Sequence, residues 1–186
     1  MSLDFINFLV RWGHLLFGIT WIGILYYFNF IQGGYFKQAS SEGLADAKAK
    51  LAPSALWWFR WSAMFTFVTG VVLLMGIGGQ KVMNDYIAVG ALLGTLMFLN
   101  VWLVIWPAQQ IALGMKDGDG PAAGAKALLA SRTNTLFSAP MVYCMLASPH
   151  LGYSADHLLS ANGGGMALYA AAAIVLALEV NALLGK

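Results

Sequence analysis

The chain has 186 residues, of which 60% are hydrophobic and only 10% are charged, whereas a soluble domain carries about 25% charged residues. With a mean hydropathy of +0.71, so few charged side chains cannot cover a water-soluble particle, which leaves the lipid bilayer as the expected solvent. The net charge of +2 and the scattered Lys and Arg residues exclude the basic stripe that nucleic-acid binding needs. Cys144 is the only cysteine, which excludes an internal disulfide and a C-x-x-C-H haem attachment.

Five long stretches of the sequence contain no Asp, Glu, Lys or Arg. The first has 25 residues between Arg11 and Lys37, and the others cover residues 61–80, 86–115, 133–155 and 157–178. A helix needs about 20 apolar residues to cross a hydrocarbon core of about 30 Å. The sequence therefore predicts an all-α polytopic membrane helix bundle that forms one domain over residues 1–186. The five transmembrane helices are expected at about 5–32, 54–77, 85–110, 128–148 and 165–184.

The distribution of Lys and Arg predicts that the N-terminus lies outside. In that orientation eight of the ten basic residues lie on the inner side, and only Arg11 and Lys81 lie outside. The first helix lacks the basic start and short apolar core of a signal peptide, so we expect it to remain in the mature protein. In the first inner connection, Ser41 as N-cap and Asp46 four residues before Lys50 predict a short surface helix.

His14 is an ionisable side chain about one third of the way along the first predicted helix, in the run RWGHLLFGITWIG. Neutral imidazole is a good axial ligand for haem iron, and Gly13, Gly18 and Gly23 would leave room for a flat cofactor against the helix. The alternative is that His14 only forms a hydrogen bond to a neighbouring helix.

A second axial ligand can be sought at a similar depth on the fourth predicted helix. His150 belongs to that helix only if it continues through Pro149, and methionines in such helices more often serve packing. The choice stays open among Met141, Met145 and His150.

Each of the five predicted helices also carries a polar side chain toward its inner end. These residues are Asn29, Arg60, Asn100, Asn134 and Glu179. They are either helix-end groups that snorkel or bond between helices, or the lining of an inward-facing pocket for a small planar polar molecule. Arg60 and Glu179 have a similar expected depth, about 8 to 9 Å by helical rise, which predicts an ion pair or one shared polar network.

Three runs of the sequence resemble the membrane domain of the PuuD-type membrane-bound urate oxidases. The runs are RWGHLLFGITWIGILYYFNF, LWWFRWSAMFTFVTG and SRTNTLFSAPMVYCMLASPH. The resemblance implies a multi-helix membrane domain that often precedes a c-type cytochrome domain and oxidises urate, passing electrons to cytochrome c. The matching positions are Arg11, His14, Trp21, Gly23, Phe59, Arg60, Trp61, Gly70, Asn134, Pro140 and His150.

This chain departs from that pattern at two positions. Trp57 stands where the resemblance predicts a histidine before the W-F-K-W run, and Arg60 stands in place of the lysine. The change at Trp57 removes a candidate ligand or acid–base group. The pattern of His14 followed by W-I-G also resembles, more distantly, helix one of CopD-like and HemJ-like membrane proteins, of which the latter bind haem b.

Together these features predict a b-haem redox protein of a bacterial inner membrane, with His14 as an axial ligand and electrons leaving toward a periplasmic cytochrome c. The alternative is a non-catalytic accessory subunit of a larger respiratory or oxidase complex, which the expected lack of a cytochrome domain favours. A copper or small-solute permease has the least support, because no Met or His ladder crosses all depths.

Overall fold

The computed structural model describes residues 2–79, 84–151 and 166–185, and these residues form eight α-helices and no strand. The predicted all-α class is confirmed. The helices are α1 Leu3–Tyr26, α2 Gly33–Gln38, α3 Ser41–Asp46, α4 Ala52–Gly79, α5 Asp85–Leu99, α6 Trp106–Ala112, α7 Gly120–Leu151 and α8 Met166–Leu184. Three π-helical turns join consecutive helices without a loop. Tyr27–Gln32 joins α1 to α2, Ala47–Leu51 joins α3 to α4, and Asn100–Ile105 joins α5 to α6.

Three continuous helical segments are long and apolar enough to cross a membrane: Leu3–Gln38, Ser41–Gly76 and Asp85–Ala112. They contain the predicted spans at 5–32 and 85–110 and all but the last residue of the predicted span at 54–77. Helix α7 covers the predicted span at 128–148, and a shorter apolar helix, Tyr169–Leu184, lies in the predicted span at 165–184. That these last two helices cross the membrane stays a prediction, as does the side on which the N-terminus lies; Lys81 is outside the described residues.

The first connection contains the expected short helix, α3, but its N-cap differs from the prediction. Ser40, not Ser41, is the N-cap of α3, because Ser40 has the extended backbone of a cap and its hydroxyl accepts a hydrogen bond from the Gly43 amide at 3.2 Å. Asp46 pairs with Lys50 one turn later, as the spacing of four residues predicts. The helix then runs on into α4 without a loop.

Two of the π turns end just before a proline, Pro53 and Pro107. Proline has no N–H to donate to the carbonyl four residues earlier, and a wider turn is one way to accommodate that loss. In both turns the closing amide bonds a carbonyl five residues back, from Trp106 to Val101 in the second case. The second turn contains Asn100, so the helix is locally widened at a predicted polar site.

Helix α7 has the central place in the packing. Helix α1 packs mainly on α4, whereas α5, α6 and α8 pack on α7. The largest fully buried side chains are Trp21 of α1, Phe59 of α4 and Phe137 of α7. Helix α7 also buries the polar side chains of Ser131 and Asn134.

Candidate functional site

The imidazole of His14 joins α1 to α4. Its Nδ1 lies 2.9 Å from the main-chain oxygen of Thr66 and 3.1 Å from Oγ1 of Thr69. The Thr69 hydroxyl donates to the Phe65 carbonyl at 2.6 Å, so its oxygen is an acceptor toward the imidazole. Because both neighbours of Nδ1 accept, Nδ1 must carry the proton.

Protonation of Nδ1 leaves Nε2 of a neutral His14 with an unshared lone pair. Nε2 has no hydrogen-bond partner in the part of the chain that the structure describes, and the side chain is half-buried. Histidines that bind metals commonly donate their other ring N–H to a carbonyl oxygen, which holds the ring in one orientation. The geometry of His14 therefore fits an axial ligand whose coordinating atom is Nε2.

Gly70 makes room for this imidazole on the surface of α4. A Cβ atom added to Gly70 would lie 3.1 Å from Cε1 and 3.5 Å from Nδ1 of His14. A Cβ atom on Gly23 of α1 would have no atom of a neighbour within 4 Å. Cβ atoms on Gly13 and Gly18 would meet Phe17 at 3.8 Å and Thr66 at 4.0 Å, so room for a flat cofactor along the three glycines stays a prediction. Gly70 is needed for the position of the ring.

The three candidate second ligands lie on α7, away from the contacts of His14. A Cβ atom added to Gly94 of α5 would lie 3.5 Å from Met141 Sδ, and one added to Gly90 would lie 3.3 Å from Met145 Cγ. Both methionines thus fill the interface between α5 and α7. His150 is exposed, and α7 does continue through Pro149 to reach it. The described contacts bring none of the three together with His14.

Asn100, Asn134 and Glu179 form a second site, which we call the amide–carboxylate triad. They come from the π turn after α5, from α7 and from α8, with exposures of 1%, 0% and 7%. Asn100 Nδ2 donates to Asn134 Oδ1 at 2.9 Å and to Glu179 Oε2 at 3.0 Å. The sequence places these three residues among five polar side chains near the inner ends of the helices, and the structure joins the three by hydrogen bonds without Arg60.

A backbone carbonyl fixes the orientation of both amides. Asn134 Nδ2 donates to the main-chain oxygen of Met97 at 2.9 Å, and a carbonyl can only accept. Asn134 must therefore present its oxygen to Asn100, and Asn100 must present its nitrogen in return. This arrangement leaves Asn100 Oδ1 buried without a partner among the described residues. The triad thus keeps one buried acceptor that none of the described residues satisfies.

Arg60 and Asn29 lie outside the triad. The predicted ion pair between Arg60 and Glu179 is wrong: the ion pair found in the described residues joins Lys50 and Asp46, and no hydrogen bond connects Arg60 to the triad. Instead the guanidinium carbon of Arg60 lies 3.8 Å from the ring centroid of Trp106. A similar depth on two helices does not make two side chains face each other.

Asn29, in the π turn that follows α1, bonds to α7 separately from the triad. Its Nδ2 donates to Ser131 Oγ at 2.8 Å and to the Leu25 carbonyl at 2.9 Å. One face of α7 carries a further bond of this kind, because Tyr26 and Ser138 hydroxyls lie 2.8 Å apart. Sequence reasoning missed Ser138, Thr66 and Thr69, although small hydroxyl residues three or four apart are a signal for a face that bonds to another helix.

The architecture and the long apolar helices define an α-helical membrane protein. Within that class, the profile of the family described as urate oxidase N-terminal matches residues 80–175, and the chain belongs to this family. The matched part contains Asn100, Asn134 and the three candidate second ligands, whereas His14 precedes it and Glu179 follows it. No curated protein and no solved structure matches the chain.

Proposed function

We propose that the protein is a membrane-embedded b-haem redox protein, with His14 as an axial ligand and electrons passing toward a periplasmic cytochrome c. The observation that carries the proposal is the hydrogen bond from His14 Nδ1 to the Thr66 carbonyl. That bond leaves Nε2 as the free ring nitrogen of the neutral side chain.

Three residues of α4 hold the His14 ring in place. Thr66 and Thr69 accept the hydrogen bond from Nδ1 and so fix the rotation of the imidazole, and Gly70 lets the ring lie close to α4. The accepting carbonyl also raises the basicity of Nε2, which strengthens a bond to iron. When bound, haem b would supply a one-electron redox centre inside the bilayer.

The amide–carboxylate triad is the proposed contact for a small polar molecule. Asn100 Oδ1 and the Glu179 carboxyl are acceptors, so they favour a molecule with N–H or O–H donors. Membership of the urate oxidase N-terminal family makes oxidation of such a molecule a reasonable reaction class.

A visible absorption spectrum of the purified full chain tests the haem assignment. Wild-type protein should show a Soret band and reduced-state bands of a b-type haem. His14→Ala should lose them while keeping its helical circular dichroism, since alanine favours helices. Absence of a Soret band in wild-type protein reconstituted with haem would exclude the proposal.

The second candidate function is that of an accessory subunit in a larger oxidase complex of a bacterial inner membrane. It is favoured by the low burial of the first apolar segment, Leu3–Gln38. Only 11% of the residues in the most apolar stretch of this segment are buried, so its surface is available to another subunit. Purification from native membranes discriminates the two functions, because this candidate requires stable co-purification with further subunits and no haem of its own.

A further inference from the structure

Two aromatic contacts join α4 to the segment formed by the third π turn and α6. Arg60 lies over the Trp106 ring at 3.8 Å, and the rings of Trp61 and Trp102 have centroids 5.6 Å apart. Arg60 and Trp61 are neighbours on α4, while Trp102 and Trp106 are about one turn apart on the other segment. We call these four side chains, Arg60, Trp61, Trp102 and Trp106, the Arg60 seam.

The Arg60 seam contains donors without acceptors. Arg60 forms no hydrogen bond or ion pair with the residues that the structure describes. The Nε1 of Trp102 is fully buried and also lacks a partner among them. Glu179, the acid that the sequence pairs with Arg60, is bound by Asn100 instead. The seam therefore fits a ligand that is rich in anionic oxygen atoms.

The stacking of Arg60 on Trp106 favours a phosphate as that ligand. An aromatic face holds the guanidinium plane while leaving its N–H groups at the edge free. A planar fork of N–H donors matches two oxygens of a phosphate, and such charge-assisted bonds are roughly twice as strong as neutral ones.

The surroundings of Arg60 indicate whether the phosphate belongs to a lipid headgroup or is free in solution. Trp57 and Trp58 on α4 are 47% and 57% exposed, and exposed tryptophans on membrane helices mark the depth of lipid headgroups. The segment before α4 carries the exposed Lys50, which belongs in water. Arg60 follows these tryptophans by two to three residues on α4 and is half-buried, so its long side chain can extend back to the depth of the headgroups.

We propose that the Arg60 seam binds the headgroup phosphate of an anionic phospholipid, with the Arg60 guanidinium as the contact. Basic pockets between membrane helices recognise anionic headgroups by this chemistry. The proposal is independent of the haem assignment, because it involves none of the residues around His14.

Native mass spectrometry of the delipidated full chain tests the proposal, with phosphatidylglycerol, phosphatidylcholine and inorganic phosphate as probes. Wild-type protein should retain phosphatidylglycerol in preference to phosphatidylcholine. Arg60→Gln should weaken retention at least about tenfold, because it removes the charge-assisted bonds. Arg132→Gln is the matched control, since Arg132 is an exposed arginine on α7 with no aromatic partner in the described residues, and it should retain the lipid as wild type does.

Arg60→Lys keeps the positive charge but removes the planar fork, so it should bind between the wild type and Arg60→Gln if geometry matters as proposed. Equal retention by wild type and Arg60→Gln would overturn the proposal. Arg60-dependent binding of inorganic phosphate that competes with the lipid at equal affinity would overturn the lipid source. If Arg60→Gln fails to fold, equal retention of the two phospholipids by the wild type would still overturn it.

Discussion

His14 Nδ1 lies 2.9 Å from the carbonyl oxygen of Thr66, although the two residues are 52 positions apart in the chain. The sequence presents two alternatives for His14, a haem ligand or a hydrogen bond to a neighbouring helix, and this contact makes them compatible. One nitrogen of the ring bonds to a neighbouring helix, and the same bond leaves the other nitrogen free to act as a ligand. A histidine that holds two helices together can therefore also be a haem ligand.

The tautomer of His14 is directly measurable. Nitrogen-15 NMR of protein labelled at histidine, before haem is added, should show the proton of the neutral ring on Nδ1, because both neighbours of Nδ1 are acceptors. Thr69→Val should leave this tautomer in place, since the Thr66 carbonyl remains. A neutral ring protonated on Nε2 would contradict the assignment of the coordinating atom.

Gly70→Ala should weaken haem binding without unfolding the protein. The new Cβ atom would lie 3.1 Å from His14 Cε1, so the imidazole must move by a few tenths of an ångström. Changes next to a metal ligand typically cost about 10- to 100-fold in affinity, and haem dissociation should be faster by about the lower of these factors.

Gly76→Ala is the control for this change, because it adds the same methyl group to the same helix with no neighbour within 4 Å. Its haem dissociation should match that of the wild type. Equal dissociation from Gly70→Ala and Gly76→Ala would show that the packing at Gly70 does not position the ligand.

Double-mutant cycles test whether Glu179 interacts with Asn100 of the triad or with Arg60. Asn100→Leu and Glu179→Leu should be coupled by about 0.5 to 1.5 kcal/mol, because the two residues share a buried hydrogen bond of 3.0 Å. Unfolding of the protein in mixed micelles provides the free energies.

Arg60→Leu combined with Glu179→Leu is the matched cycle for a pair without contact. Its two effects should add within about 0.5 kcal/mol. Stronger coupling of Glu179 to Arg60 than to Asn100 would mean that the ion pair forms in the membrane after all.

The sequence predicts the helices well because charged residues are absent from long stretches of it. It also places Asn100, Asn134 and Glu179 among five polar side chains near the inner ends of the helices, but it pairs Glu179 with Arg60 and not with Asn100. Depth along a helix can be counted from the sequence, but the direction in which a residue faces cannot. The π turn at Asn100–Ile105 changes the face that later residues present, and it places Trp106 over Arg60.

The partners of His14 could not be chosen from the sequence. Helix α4 carries several small residues in this region, and only the packing of α1 shows that Thr66, Thr69 and Gly70 meet the ring. The N-cap error at Ser41 has a similar origin, because adjacent serines offer the same side chain and differ only in backbone conformation.

Rescue of His14→Gly by added imidazole is the most direct test of the central claim that His14 Nε2 is an axial ligand. The variant keeps the helix pair but lacks the coordinating side chain. We predict that it loses the absorption bands of the wild-type haem and regains them when imidazole fills the space, as an imidazole ligand to iron would require. A His14→Gly variant whose reduced spectrum equals that of the wild type without imidazole would contradict the account.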